Sequence, residues 1–315
     1  LNLKKEGMKI DKIPKIIVIC GPTGIGKTRL TIDIFKKFPS IIISADSVQV
    51  YKYMNIGTAK ISPEENKEAF HHLTDTCYPD ENFDAAKFAE LAQNLINTAF
   101  KKGKYSIISG GTGLYIKALT EGIFRSRPAD NEVIESLYKA EESDKGFLHR
   151  KLSEADPESA AKIHKNDQFR LARALEYFHS TGEKISEKQK KEKPAKKQFE
   201  VLKLGLFDNR KDLYERIDKR ADIMIEQGLL EEVKNLRNMG YPPTLKSMGA
   251  IGYKHMNLYI DKKVSWDEAV RLMKRDSRRY AKRQLTWFRA DRRINWISPD
   301  DTEKAEYLIR EFINS

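Results

Sequence analysis

Apolar residues follow two alternating spacings over the first part of the chain. Ile16–Cys20 (IIVIC) is a continuous apolar run, the pattern of a parallel strand buried on both faces. A Gly-rich turn and a helix from Thr28 to about Lys37 follow, then a second buried run at Ile41–Ile43. From Asp84 to Lys101, Phe88, Leu91, Leu95 and Ala99 share one helical stripe. Tyr105–Ser109 (YSIIS) predicts a third strand, closed by Gly110-Gly111. Such alternation predicts an α/β fold, an open parallel sheet with helices on its faces.

The pattern changes near Arg125. From Pro128 to about Ser180 the periodicity is helical, with starts at Asp156-Pro157 and Asn166-Asp167. Glu183–Glu200 reads as an exposed loop or hinge, because Lys184–Lys197 holds seven lysines against two acids. Val201–Phe207 returns to strand character, and a helix from about Lys211 to Gln227 is stopped by Gly228. Ser265 and Glu268 form a capping box that opens a long amphipathic helix through Phe288. The expected organisation is an α/β core at 12–126 and 195–300, interrupted by an all-helical insertion domain at 127–194.

The 315 residues are 40% hydrophobic and 33% charged, which fits a globular chain and excludes collagen-like and disulfide-scaffold classes. No apolar run reaches the length of a membrane span, so no membrane association is expected. Leu1–Lys12 is basic without an apolar core, so no signal peptide is expected. Cys20 and Cys77 stand far apart and fit a reducing cytoplasm. The six histidines show no metal-ligand spacing. The net charge of +12 matters more through its placement. Between Arg271 and Arg293, ten basic residues face only Asp276 and Asp291, and they interleave with Tyr280, Trp287 and Phe288. Lysine and arginine neutralise phosphates while aromatic rings stack on unpaired bases, so this helix is a candidate RNA surface.

Gly21-Pro22-Thr23-Gly24-Ile25-Gly26-Lys27-Thr28 matches G-x-x-x-x-G-K-[ST] between a strand and a helix. A P-loop of this kind wraps a diphosphate or triphosphate with backbone N–H groups, while Lys27 adds a charge and Thr28 can hold Mg²⁺. The core is therefore expected to be P-loop NTPase-like. Asp46 follows the second strand, at the sheet edge where ligands sit, and can serve as general base or bind Mg²⁺ through water. The third strand ends in Ser109-Gly110 where a nucleotide-hydrolysing protein would show an aspartate. Arg216 and Arg220 lie four apart on one helix face, where such a pair could clamp a leaving diphosphate or equally form surface ion pairs with Glu215 or Asp218.

Taken together, the motifs resemble the tRNA dimethylallyltransferase family over about Lys15–Trp296. The carrying segments are GPTGIGKT (Gly21–Thr28), ISADSVQVY (Ile43–Tyr51), MNIGTAK (Met54–Lys60), HHLTD (His71–Asp75), GGTGLY (Gly110–Tyr115), RLARALE (Arg170–Glu176), GYKHM (Gly252–Met256) and KRQLTWFR (Lys282–Arg289). The resemblance implies transfer of a dimethylallyl group from its diphosphate to N6 of the adenosine 3′ of the anticodon, in tRNAs reading codons that begin with U. It implies that Asp46 takes the amine proton, and that Gly21, Pro22, Thr23, Gly24, Ile25, Gly26, Lys27 and Thr28 hold the diphosphate, with Mg²⁺ on Thr28. Arg220 matches the family's diphosphate-binding arginine, with Arg216 a rival. Asp46, Ser47, Val48 and Gln49 would contact the flipped adenine, and Thr112, Arg170, Arg173, Lys282, Arg283, Gln284, Trp287 and Arg289 the tRNA. The insertion would grip the anticodon stem-loop, and the enzyme is expected to be a cytoplasmic monomer. Some relatives carry arginine where Gly249 stands, and the zinc finger of eukaryotic relatives is absent, which points to a bacterial-type enzyme. The alternative is a P-loop small-molecule or nucleotide kinase using ATP, which leaves the basic helix unexplained. A non-catalytic GTPase-like RNA-binding module leaves Asp46 without a role and lacks its guanine-reading motif.

Overall fold

A computed structural model describes residues 13–122, 130–191 and 198–315. The chain divides into two compact units, Leu1–Glu121 with Lys197–Ser315, and Gly122–Lys196. The first unit contains strands β1 (Lys15–Cys20), β2 (Ser40–Ser44), β3 (His71–His72) and β4 (Tyr105–Gly110), with helices α1 (Lys27–Lys37), α2 (Pro63–Glu68), α3 (Ala85–Lys101) and α4 (Gly113–Glu121). The second unit contains α5 (Asn131–Ser143), α6 (Phe147–Ala155), α7 (Pro157–Lys162), α8 (Gln168–Thr181) and α9 (Ile185–Lys191). The chain then returns to the first unit with β5 (Glu200–Leu206), α10 (Arg210–Glu226), α11 (Leu229–Asn238), α12 (Tyr253–Ile260), α13 (Trp266–Arg289), β6 (Ile294–Ile297) and α14 (Thr302–Asn314).

The described strands form a six-stranded sheet in the order β3-β2-β4-β1-β5-β6. Every pairing is parallel. Helices cover both faces, so β1 is buried from Ile16 to Cys20 and reads as one apolar run. One core joins Ile17, Ile19, Leu202 and Leu204 of the sheet to Leu30 and Ile34 of α1, Leu213 and Ile217 of α10, and Ala305 and Ile309 of α14. Each large aliphatic side chain fully buried there contributes about 1.5–3 kcal/mol. The unit thus extends past residue 300, the expected end of the core. Lys15 Nζ donates to the carbonyls of Phe312 (2.8 Å) and Ile313 (3.2 Å), tying the start of β1 to unsatisfied carbonyls at the end of α14. Asp84 caps α3 by accepting from Ala86 N and Lys87 N, which is why the helix begins there.

The second unit has its own core of Leu148, Leu152, Leu171, Ala172 and Leu175. Asp156 caps α7 at Ser159 N, and its carboxylate also accepts from Ser186 N (3.0 Å) and Ser186 Oγ (2.7 Å). That bond corrects one expectation. Residues 185–191 are helical rather than a loop, because Asp156 holds the first turn of α9 while Lys190 pairs with Glu158 and Lys191 with Glu183. The expected hinges of the insertion fall on 123–129 and 192–197, and the basic start falls on 1–12, all outside the described residues. No helix among the described residues is long and apolar enough to cross a membrane.

Candidate active site

The sequence Cys20-Gly21 to Lys27-Thr28 turns the central strand into α1 at the carboxyl edge of the sheet. Gly26 stands at the N-cap with φ 100°, in the left-handed region that glycine enters without strain. The first-turn N–H groups of α1 have no intrahelical partner, which makes this end an anion site. Lys27 Nζ donates to the carbonyls of Gly21 (3.1 Å) and Pro22 (2.8 Å), so its ammonium sits against the loop. Burial pulls its pKa down to about 8; Arg220 adds repulsion, and Asp46 offsets part of the shift. Thr28 lies at the same mouth.

Two further strand ends bring their loops to this point. After β2, Asp46 Oδ1 accepts from Val48 N (2.9 Å) and Gln49 N (3.2 Å), an Asx-type turn that fixes the carboxylate. After β4, Thr112 Oγ1 accepts from Ser47 N (3.0 Å) and Thr112 N donates to Ala45 O (3.1 Å), locking the two loops together. Gln49 spends its amide on structure: Oε1 accepts from Ser44 Oγ, and Nε2 donates to the carbonyls of Thr58 and Ala59.

The long helix α13 closes the site from the other end of the chain. Gln284 is buried; its Oε1 accepts from Thr23 N (2.9 Å) and its Nε2 donates to Gly111 O (2.9 Å). A Cβ at Gly111 would lie 2.2 Å from that Nε2, so only glycine admits the contact. Gln284 was expected to touch tRNA. Within the chain it staples the P-loop to the Gly110–Gly113 turn through both ends of its amide.

Arg220 and Arg216 separate clearly. Arg220 Nη1 donates to Thr23 Oγ1 (3.2 Å) and lines the site. Arg216 pairs with Asp208 (2.7 Å) and Gly24 O (3.2 Å) and lines no cavity described here. Two cavities meet at these groups. One, of about 250 Å³, is the P-loop mouth with Lys27, Thr28 and Ser44. The other, of about 350 Å³, has an apolar wall of Ile217, Ala221 and Met224 from α10, with Ile251 and Met273. Thr23, Asp46, Thr58, Arg220 and Tyr280 border both. The junction thus places a carboxylate and a guanidinium between an anion pocket and an apolar pocket.

A family model described as IPP transferase matches residues 49–291. The chain belongs to this family. It is 45% identical over 303 residues to a tRNA dimethylallyltransferase of Desulfosudis oleivorans, covering 95% of this chain and 96% of that one. It is 43% identical over 297 residues to a tRNA dimethylallyltransferase of Acetivibrio thermocellus, covering 94% and 95%. Among solved structures it is similar to a full-length tRNA isopentenylpyrophosphate transferase from Bacillus halodurans, with TM-score 0.70, 39% identity and 95% of each chain covered. A eukaryotic dimethylallyltransferase acting on tRNA superposes with TM-score 0.79 at 29% identity, over 96% of this chain and 80% of that one.

Within this member of the IPP transferase family, several residues at the site were given no site role by the sequence reading. Tyr280 lies one helical turn before Arg283 and Gln284, and burial beside Asp46 raises its pKa to about 12, so it stays neutral. Lys254 lines the apolar-walled cavity and is held by Asp276 (2.8 Å). Glu232 accepts from the N–H groups of Asn55, Ile56 and Gly57 and from Tyr253 Oη, and so fixes the turn that presents Thr58. The spacing of Ile217, Ala221 and Met224 was the one sequence signal available for the apolar wall.

The basic face of α13 is smaller than its composition suggested. Arg278 pairs with Asp218 and Lys274 with Asp222, both on α10, and Arg271 with Glu268. Arg283 reaches the cavity, with its guanidinium 5.7 Å from the Tyr280 ring centroid. Lys282, Arg289 and Trp287 are exposed. In the second unit Arg170 is exposed and pairs with Asp167, and Arg173 pairs with buried Glu176.

Proposed function

We propose that the protein transfers a dimethylallyl group from dimethylallyl diphosphate to N6 of the adenosine immediately 3′ of the anticodon, in tRNAs reading codons that begin with U, and releases diphosphate. The observation that carries this reading is the junction of the anion pocket and the apolar pocket at Thr23, Asp46 and Arg220. The P-loop N–H groups, Lys27 and Arg220 bind the diphosphate, and the wall formed by Ile217, Ala221 and Met224 takes the prenyl group. The adenine leaves its stack to enter. As the bond from N6 to the allylic carbon forms, the bond from that carbon to the diphosphate oxygen breaks, and Asp46 accepts the amine proton. Preorganised N–H dipoles and the two cations stabilise the charge on the leaving group without rearranging.

Hard oxygen donors at the P-loop mouth, the Thr28 hydroxyl and the Asp46 carboxylate, suit Mg²⁺, which typically takes few protein ligands beside substrate phosphates. Thr28 would hold it directly, and it would supply further charge neutralisation of the diphosphate. We assign Lys282, Arg283, Trp287 and Arg289 of α13, with Arg170 and Arg173 of the helical unit, to tRNA. Nucleoside analysis of unmodified tRNA incubated with protein and labelled dimethylallyl diphosphate tests the reading. It predicts label on one adenosine per tRNA; label transfer from ATP instead would favour the kinase.

Arg283→Ala should weaken tRNA binding and flatten the log–log dependence of affinity on salt by about 0.7–0.9 per lost phosphate contact. An unchanged slope in filter binding would count against a phosphate contact there.

Lys27 gives a pH dependence with a definite sign. Its pKa is pulled down to about 8 in the free protein, and a bound anion, by favouring the charged form, should raise it. Below pH 8 the group is already protonated, so it adds no pH dependence to donor binding. Above pH 8 binding takes up a proton, so the dissociation constant for dimethylallyl diphosphate should rise by up to about tenfold per pH unit, until the bound-state pKa is passed. Calorimetry in buffers of different ionisation enthalpy should register proton uptake above pH 8, and none in Lys27→Met. Equal proton exchange in both proteins would contradict the assignment.

A further inference from the structure

The apolar-walled cavity shares part of its lining with a second one. The second is a groove of about 910 Å³ between α10 and the segment 52–66. Among the described residues, only Arg220 and Met224 border both the cavity and the groove. Arg220 donates to Thr23 Oγ1 at the anion end of the cavity, which leaves the Met224 side chain as the apolar part of the wall.

The direction of the cavity follows from α10. Ile217 packs against the P-loop, since a Cβ at Gly24 would lie 3.0 Å from Ile217 Cγ1. Met224 lies seven residues later on the same helix face, about 10 Å further along the axis. A diphosphate held at Thr23 and Lys27 therefore directs an attached chain from Ile217 past Ala221 toward Met224. On the far side, Ile56, Ile61 and Ile223 supply apolar surface. The groove wall opposite is fixed, because Glu232 anchors the N–H groups of Asn55, Ile56 and Gly57.

We propose that Met224 sets the length of the prenyl donor: its side chain closes the cavity behind one isoprene unit, and shortening it opens the groove to a second. This rests on the reading of the site as a dimethylallyl transferase. Methionine suits the position, because its unbranched side chain fills an irregular boundary while making many contacts. Discrimination by a hydrophobic pocket is modest per group, about 10–200-fold per methylene, so one residue can dominate it.

The test compares dimethylallyl and geranyl diphosphate as donors to the same unmodified anticodon stem-loop. Met224→Ala should raise the geranyl-to-dimethylallyl ratio of kcat/KM at least tenfold, through a lower KM for the geranyl donor. Met224→Phe should move the other way, raising KM for dimethylallyl diphosphate while product inhibition by inorganic diphosphate stays at the wild-type value. That second arm remains informative where the alanine variant does not fold. Ile223→Ala alters only the groove side and should keep the wild-type ratio. A wild-type ratio in an active Met224→Ala, or loss of diphosphate inhibition together with donor use in Met224→Phe, overturns the gate. A wild-type protein that transfers neither group overturns the donor reading, and the gate with it.

Discussion

Asp46→Ala should slow single-turnover prenyl transfer by about 10²–10⁴-fold, the range of a lost general base, while tRNA affinity stays within a few-fold of wild type. The carboxylate is held by the N–H groups of Val48 and Gln49 through Oδ1, so the substitution removes a positioned acceptor rather than a mobile one. Asp46→Asn is the sharper form. The amide keeps the shape and its oxygen can still accept both N–H bonds, yet it cannot take the amine proton. A near-wild-type rate in Asp46→Asn would remove Asp46 from proton transfer. Gel-shift titration of both variants separates a chemical defect from a binding defect.

Arg220→Ala should lower kcat by about 10²–10³-fold, the cost of deleting one preorganised donor to developing charge, and should raise the KM for the donor. The guanidinium is part-buried at the junction of the two cavities and donates to Thr23 Oγ1. Arg220→Lys should recover only part of the loss, because an ammonium is a point charge and cannot keep the Thr23 contact while reaching the diphosphate in a planar fork. Arg216→Ala is the comparison, since Arg216 pairs with Asp208 outside the cavity and should change kcat little. Equal losses at the two positions would contradict the division of roles between them.

The parts of the molecule set by short-range pattern were legible in the sequence. β1, β2, β4 and β5 were read to within about a residue at each end: β1 and β2 as unbroken apolar runs, β4 and β5 as short apolar-rich stretches that tolerate buried Ser106 and Lys203. The P-loop and Asp46 were legible as local motifs after strands. The elements missed were those made by tertiary context. β3 is two residues long, and α14 buries only Ala305 and Ile309 completely, too narrow a stripe to announce itself. The helix at Ile185–Lys191 was hidden by its lysines, and its first turn is held by Asp156, 30 residues away.

The site divides in the same way. Gln284 reaches Thr23 across 261 positions, so its stapling role could not be read from the KRQLTWFR segment, which alone suggested an RNA contact. The charge of α13 was overcounted for a related reason. Lys274 and Arg278, four apart, face Asp222 and Asp218, four apart on α10, and this ladder consumes charge that composition assigned to phosphate. Met224 gains its meaning only from the two cavities it separates.

The central claim is that one junction couples an allylic diphosphate to an adenine amine. Its most direct test is single-turnover transfer of labelled dimethylallyl from its diphosphate, with Mg²⁺, to an unmodified tRNA and to the same tRNA with guanosine in place of the adenosine 3′ of the anticodon. The account predicts stoichiometric label on the first tRNA and none on the second. Label on both, or on neither while the protein binds tRNA and donor, would contradict it.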